Sequence, residues 1–205
     1  MYQKEITVSS GCVFWISKRF LDLTLSIIFL PILATIALVI FCLNLFYNKG
    51  SVFYIQKRMG KNCVPFYAIK FRTMINIKKI DRKYSDPLEH SRITSLGYIL
   101  RRTKIDELPQ IINVIKGEMS LIGPRPDYYE HAISFLDKIP NYKLRHAVRP
   151  GISGLSQIRL GYAEGMDATK IKSKVDIFYI ENANFFLDVK IFFGTILIII
   201  KGMIK

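Results

Sequence analysis

Several residue patterns that common chemistries require are missing from this chain. Its three cysteines, Cys12, Cys42 and Cys63, are scattered and never fall in CxxC spacing, so neither a disulfide framework nor a cysteine-based zinc site is expected. The three histidines, His90, His131 and His146, stand alone, without HxxxH or HExxH spacing, and read as core or surface residues rather than ligands. No GxGxxG or GxxxxGK[ST] loop is present, which removes the usual glycine-rich phosphate cradles. Acids are scarce as well: 16 Asp+Glu face 30 Lys+Arg, a formal charge of +14. Such a surplus selects anionic partners: nucleic acid, the face of an anionic membrane, or phosphorylated small molecules. The basic residues are spread out and form no nucleic-acid-binding motif, so nucleic acid is not expected among the partners.

What the chain has in abundance is apolar sequence. Half of its 205 residues are hydrophobic, and the length suits a single domain with a sizeable core. From Leu23 to Asn48 there is no acid or base; a straight helix of that length would measure about 39 Å, more than the roughly 30 Å of a hydrocarbon core. The run is too long for the apolar part of a signal peptide. Pro31 lies a third of the way along and predicts a kink, since it deletes an amide donor and clashes with the preceding turn. Lys18 and Arg19 precede the run, and Lys49, Lys57, Arg58 and Lys61 follow it. Positive charge on both flanks chooses no orientation under the positive-inside rule. It suits equally a bent spanning helix and a helix that enters, turns at Pro31 and returns.

Beyond this segment the pattern becomes mixed. Phe14 and Trp15, in a short amphipathic lead over 1–17, suit a membrane interface. Ser51–Gln56 and Pro65–Phe71 read as a hairpin joined by a basic, glycine-containing loop. Residues 76–92 read as a surface loop or short helix, and Ser95 as the cap of a helix ending at Arg101 and Arg102. A helix near 127–137 and a last one over Phe185–Lys201 follow. The uncharged part of the last, Ile191–Ile200, would span only about 15 Å, so it is expected at the interface or against the body. Asp167, Asp176 and Asp188 read as caps or surface residues, and the cluster Lys170, Lys172 and Lys174 as a solvated face.

The stretch KIDELPQIINVIKGEMSLIGPRP, beginning at Lys104, concentrates the chemistry. Leu108, Ile111, Ile112 and Ile115 form an apolar helical stripe that Gly117 stops. Asp106 as N-cap would leave Pro109 within the first turn, where its missing amide costs nothing. Asp106 is therefore first a helix cap, and Glu107 a first-turn acid that suits the helix dipole. Their basic surroundings also fit a phosphate site in which two neighbouring carboxylates hold Mg²⁺.

The same stretch closely resembles the bacterial sugar transferase family, monotopic phosphoglycosyl transferases that begin O-antigen, capsule and related glycans. Lys18-Arg19 with Asp22, Gln56-x-Arg58-x-Gly60, Lys70-Phe71-Arg72-Thr73-Met74 and Arg149-Pro150-Gly151-Ile152-Ser153-Gly154 carry the similarity, in order, from about residue 14 to the end. The resemblance implies transfer of a sugar 1-phosphate from a UDP-sugar to polyprenyl (undecaprenyl) phosphate, with release of UMP, at the cytoplasmic face of the bacterial inner membrane. It implies Asp106 as nucleophile through a covalent phospho-sugar intermediate, Glu107 in support, and Mg²⁺ on the pair. Arg101, Arg125, Lys70, Arg72 and Arg149 are the expected phosphate or nucleotide contacts. The family's anchor is a re-entrant helix, which favours a break at Pro31, although Leu30 stands where members often have serine.

The fold implied is α+β and mostly helical: a lead and re-entrant anchor over 1–48, then an interfacial, cytoplasmic catalytic part over 49–205 with a small hairpin and amphipathic helices. The chain looks like the minimal form, without the extra membrane helices of larger members. Anionic lipids are expected neighbours; the oligomeric state is open, a homodimer included. The rival reading is a basic membrane-surface binding protein without catalysis, in which Asp106 only caps.

Overall fold

The structure is a computed structural model that describes residues 11–48, 50–75, 89–161 and 165–202. The segment 76–88, most of the stretch expected to be a loop or short helix, lies outside the described residues, as does much of the N-terminal lead.

The apolar run forms one helix, α1, from Cys12 to Tyr47. Pro31, where a kink or break is expected, lies within this 36-residue helical span. A proline removes one i→i−4 bond and leaves those on either side intact, and Thr35 Oγ1 donates to the Pro31 carbonyl at 3.0 Å. By length and composition α1 is sufficient to cross a membrane, and only 17% of its most apolar 18-residue window is buried. The core helix of a soluble protein would be mostly buried. Both ends of α1 are tied to the rest of the protein. Near its start, Lys18 Nζ donates to Asp188 at 2.6 Å and Asp22 accepts from Ser120 Oγ at 2.7 Å. At its exit, Asn48 Nδ2 donates to the Arg72 carbonyl at 3.0 Å.

Strands β1 (Phe53–Met59) and β2 (Pro65–Phe71) form the expected antiparallel hairpin, with Ile55 opposite Ile69 and Arg58 opposite Phe66. The first strand runs further than expected, taking in Lys57, Arg58 and Met59, because Met59 is a fully buried core residue packed with Phe135 and Tyr142. Helix α2 (Ser95–Thr103) is capped by Thr94 rather than Ser95: the Thr94 hydroxyl accepts from Gly97 N at 3.0 Å. A 3₁₀ turn over Ile105–Glu107 leads into α3 (Gln110–Lys116), which Gly117 ends in the left-handed conformation, φ 86°.

Strands β3 (Ser120–Ile122) and β4 (Gly151–Ser153) pair in parallel, and α4 (Tyr129–Lys138) lies between them in sequence. The parallel pair requires glycine: a Cβ at Gly151 would lie 2.1 Å from Gly123 N. After a 3₁₀ turn over Tyr142–His146 come α5 (Leu155–Leu160), α6 (Met166–Glu181) and α7 (Phe185–Lys201). Helix α6 has no apolar stripe to announce it, since charged residues recur all round its turns. Helix α7 buries Asp188 and Ile191 and leaves Phe186, Phe192, Phe193, Leu197 and Ile200 exposed.

The core is continuous with α1. Leu33 and Ile40 of α1 pack with Phe71, Leu100 and Ile111, while Val148, Leu155, Tyr179, Ile180 and Ile191 hold α5, α6 and α7 together.

Candidate active site

The two acids at the centre of the sequence reading are buried side by side, and neither caps α3. Lys104 adopts a left-handed conformation (φ 60°) that ends α2 and turns the chain into the 3₁₀ segment containing Asp106 and Glu107. The N-cap position of α3 falls to Pro109, with no side-chain cap. The amides at its start are satisfied locally instead: Leu108 N reaches Ile105 O at 3.1 Å, Ile111 N reaches Leu108 O at 3.1 Å and Ile112 N reaches Pro109 O at 3.0 Å. With those amides satisfied by backbone carbonyls, the Asp106 side chain is not called on as a cap.

Glu107 is fully engaged. Its Oε2 accepts from Arg125 Nη1 at 2.8 Å, its Oε1 accepts from Arg125 Nη2, and Lys70 Nζ donates to Oε1 at 2.8 Å. Lys70 arrives from β2, which Asn113 fastens to α3 by accepting from Ile69 N at 3.0 Å and donating to Tyr67 O at 2.8 Å. Asp106 Oδ1, by contrast, is buried without a hydrogen-bond partner.

The electrostatics separate the two acids. Burial pushes the Asp106 carboxyl above its ordinary value, and the charge of Glu107 pushes it further, against the pull of Lys70, Lys104 and Arg125. Burial would raise Glu107 too, but Arg125 and Lys70 overcome it and hold that carboxyl well below the usual range. Lys70 is itself lowered to about 8, mainly by burial. The two carboxyls are thus pushed in opposite directions, Asp106 up and Glu107 down, by groups within one buried cluster.

Of the other expected contacts, only Arg125 and Lys70 join this cluster. Arg101, in the last turn of α2, makes no hydrogen bond or ion pair with either acid. Arg72 serves the exit of α1: its Nε donates to Ser51 O at 2.7 Å and its Nη2 donates to Asn48 O. Arg149 donates through Nε to Gly117 O at 2.8 Å, at the end of α3 away from the acids.

Sequence reading also passed over a second set of residues. Asp176 is not a surface residue: it is buried against Arg145, whose Nε and Nη2 donate to its Oδ2 at 2.9 and 2.6 Å. Asp188 is likewise buried, held by Lys18 and by the Tyr179 hydroxyl at 2.7 Å. Lys172 is paired with Asp127 rather than solvated, because α6 must bury charge as well as apolar surface to cover Arg145. Asp167 is exposed, as expected.

Among the described residues no three His, Cys, Asp or Glu side chains gather as a metal site. The unpartnered Asp106 oxygen fits a single Mg²⁺ ligand of the kind that shares the ion with substrate phosphates, whereas both Glu107 oxygens are taken by cations.

Comparison with known proteins decides the family. Residues 13–202 match the family model described as bacterial sugar transferase. The chain belongs to the bacterial sugar transferase family. Over 186 residues it is 40% identical to the UDP-N-acetylgalactosamine-undecaprenyl-phosphate N-acetylgalactosaminephosphotransferase of Aeromonas hydrophila, covering 90% of this chain and 44% of that protein. It is 36% identical over 190 residues to the UDP-glucose:undecaprenyl-phosphate glucose-1-phosphate transferase of Klebsiella pneumoniae, covering 92% and 40%. With the exopolysaccharide production protein PSS of Rhizobium leguminosarum bv. phaseoli the identity is 35% over 189 residues, covering 87% and 92%. This sugar transferase chain thus spans less than half the length of the first two relatives and nearly all of the third.

Proposed function

We propose that this bacterial sugar transferase moves a sugar 1-phosphate from a UDP-sugar to undecaprenyl phosphate, releasing UMP, as a membrane step of surface glycan assembly. The observation that carries the reading is the division between the two acids: a buried Asp106 oxygen with no partner beside a Glu107 whose oxygens are held by Arg125 and Lys70. The names of the relatives, which act on UDP-sugars and undecaprenyl phosphate, agree with it.

In this reading an Asp106 oxygen attacks the phosphorus that bears the sugar, an Asp–O–P bond forms, and the P–O bond to UMP breaks, UMP taking the electron pair. A phosphate oxygen of the lipid then attacks the same phosphorus, and the bond to Asp106 breaks to restore the carboxylate. Splitting the transfer in two spares the direct meeting of two anions. Arg125 and Lys70, whose charges act on Asp106, would stabilise the charge that develops on the diphosphate in transfer. Asp106 would hold Mg²⁺ together with the substrate phosphates, with Glu107 able to join once a cation leaves it. The ion supplies charge neutralisation at the diphosphate.

Residues 1–48 serve as the anchor and 49–205 as the catalytic part on the cytoplasmic side of the inner membrane. Re-entry of α1 fits the ties at both of its ends, Lys18 to Asp188 and Asn48 to Arg72, to one and the same body.

The test is Asp106→Asn, assayed for UMP release from UDP-sugars with undecaprenyl phosphate and Mg²⁺. Turnover is expected to fall at least about a thousandfold; wild-type turnover would reject Asp106 as nucleophile. A panel of UDP-sugars in the same assay identifies the donor.

A further inference from the structure

Arg125 sits in the loop that joins β3 to α4, and four successive peptide carbonyls of that loop are each held by a different donor. Pro124 O accepts from Gly151 N at 3.0 Å and Asp127 O from Met59 N at 3.1 Å. Between them, Arg125 O accepts from Arg145 Nη2 at 2.7 Å and Pro126 O from Arg58 Nη1 at 3.0 Å. The two central donors are guanidinium groups from separate parts of the fold, β1 and the 3₁₀ turn after α4.

The geometry leaves the loop little freedom. Pro124 and Pro126 fix their own φ, and Pro126 restricts the residue before it. The direction of each carbonyl reports ψ, so holding all four oxygens removes what freedom the prolines leave. The donors are themselves immobilised. Arg58 Nη2 also donates to Gln56 Oε1. Arg145, whose side chain is 1% exposed, is locked by Asp176 and Asp127, and Asp127 is bound in turn by Lys172 and by the Tyr142 hydroxyl at 2.6 Å.

We propose that Arg58 and Arg145 are positioning residues that act through Arg125: they grip its loop from two sides and so set where its guanidinium meets Glu107 beside Asp106. The catalytic consequence rests on the phosphoryl-transfer reading above. Lysine cannot replace either, since one ammonium lacks the planar fork that serves two or three acceptors in different directions. A shift of about 1 Å in a positioned group is enough to cost up to about a hundredfold in rate.

The test compares full-length wild type, Arg58→Lys, Arg125→Lys and the double variant in detergent, by UMP release from UDP-sugar with undecaprenyl phosphate and Mg²⁺. Arg58→Lys is expected to lower kcat about tenfold or more while leaving the KM for the lipid phosphate unchanged. If Arg58 acts through Arg125, the double variant is no slower than Arg125→Lys alone; losses that multiply, or an Arg58→Lys enzyme with wild-type kcat, overturn the proposal. Arg145→Lys should behave as Arg58→Lys, and where its buried pairs prevent folding the Arg58 series decides. Hydrogen exchange supplies a readout independent of turnover. Exchange over 120–130 should quicken in Arg58→Lys while 185–200 stays as in wild type; unchanged exchange over 120–130, or quickening in both segments, overturns the proposal. A wild type that releases no UMP rejects the proposed function instead, and exchange alone then judges the clamp.

Discussion

Asp106 and Glu107 are neighbours in the chain, both buried, and only one of them is satisfied: Arg125 and Lys70 hold both oxygens of Glu107, while Asp106 Oδ1 has no partner. A buried carboxylate without a partner destabilises the fold, and one with two cations supports it. That difference separates their expected mutational behaviour.

Asp106→Asn should leave the melting temperature in detergent unchanged or raised, because the amide removes a charge that burial disfavours. Glu107→Gln should instead cost about 1–3 kcal/mol, since the partly buried Lys70 and Arg125 lose the carboxylate charge they share. Thermal unfolding of the two variants side by side checks the contrast.

The pH profile of turnover should be bell-shaped. Attack needs Asp106 ionised, and burial with the Glu107 charge raises its pKa, so the acid limb should lie above the ordinary aspartate value of about 3.9. The alkaline limb follows Lys70, which loses its proton as pH rises through about 8. In Glu107→Gln the acid limb should move to lower pH, because one of the two causes that raise Asp106 is gone. Stability runs the other way for Glu107: its folded pKa is depressed, so its contribution is complete above its unfolded value near 4.3 and lost as pH falls through the lower folded value. Turnover measured between pH 4 and 9, and unfolding followed from pH 7 down to about pH 2, test both signs.

Asp176→Asn should be among the most damaging substitutions outside the site, costing about 3 kcal/mol or more, because it strips a counter-ion from a guanidinium that has no access to water. Asp167→Asn, which touches only the exposed Lys170, should leave the melting temperature where it was. Equal effects from the two would contradict the buried network.

Cys12, exposed at the start of α1, provides a natural probe of the anchor. With Cys42 and Cys63 replaced by serine, a membrane-impermeant maleimide is expected to label Cys12 in inverted vesicles and not in intact spheroplasts. Labelling from outside would mean a spanning helix.

The local features were within reach of the sequence. An uncharged run marks a long apolar helix by composition, alternation marks the hairpin, and Gly117 marks a stop, since each depends on the residue and its near neighbours. The cap at Asp106 was misread for a related reason: whether a side chain must satisfy the first amides depends on the preceding turn, and Lys104 in the left-handed conformation set that turn. Helix α6 escaped notice because its buried face is partly ionic, so no apolar period betrays it.

By itself, then, the sequence determined the long apolar helix, the secondary elements with a clear period, and the candidate pair Asp106 and Glu107 within a recognisable motif. Only the tertiary structure decided what that pair is given. Glu107 meets Lys70 from 37 residues away and Arg125 from 18, Arg145 meets Asp176 from 31, and Lys18 meets Asp188 from 170. Period and propensity are properties of a short window, whereas a buried charge is stable only beside its partner, and which partner arrives is set by the path of the whole chain.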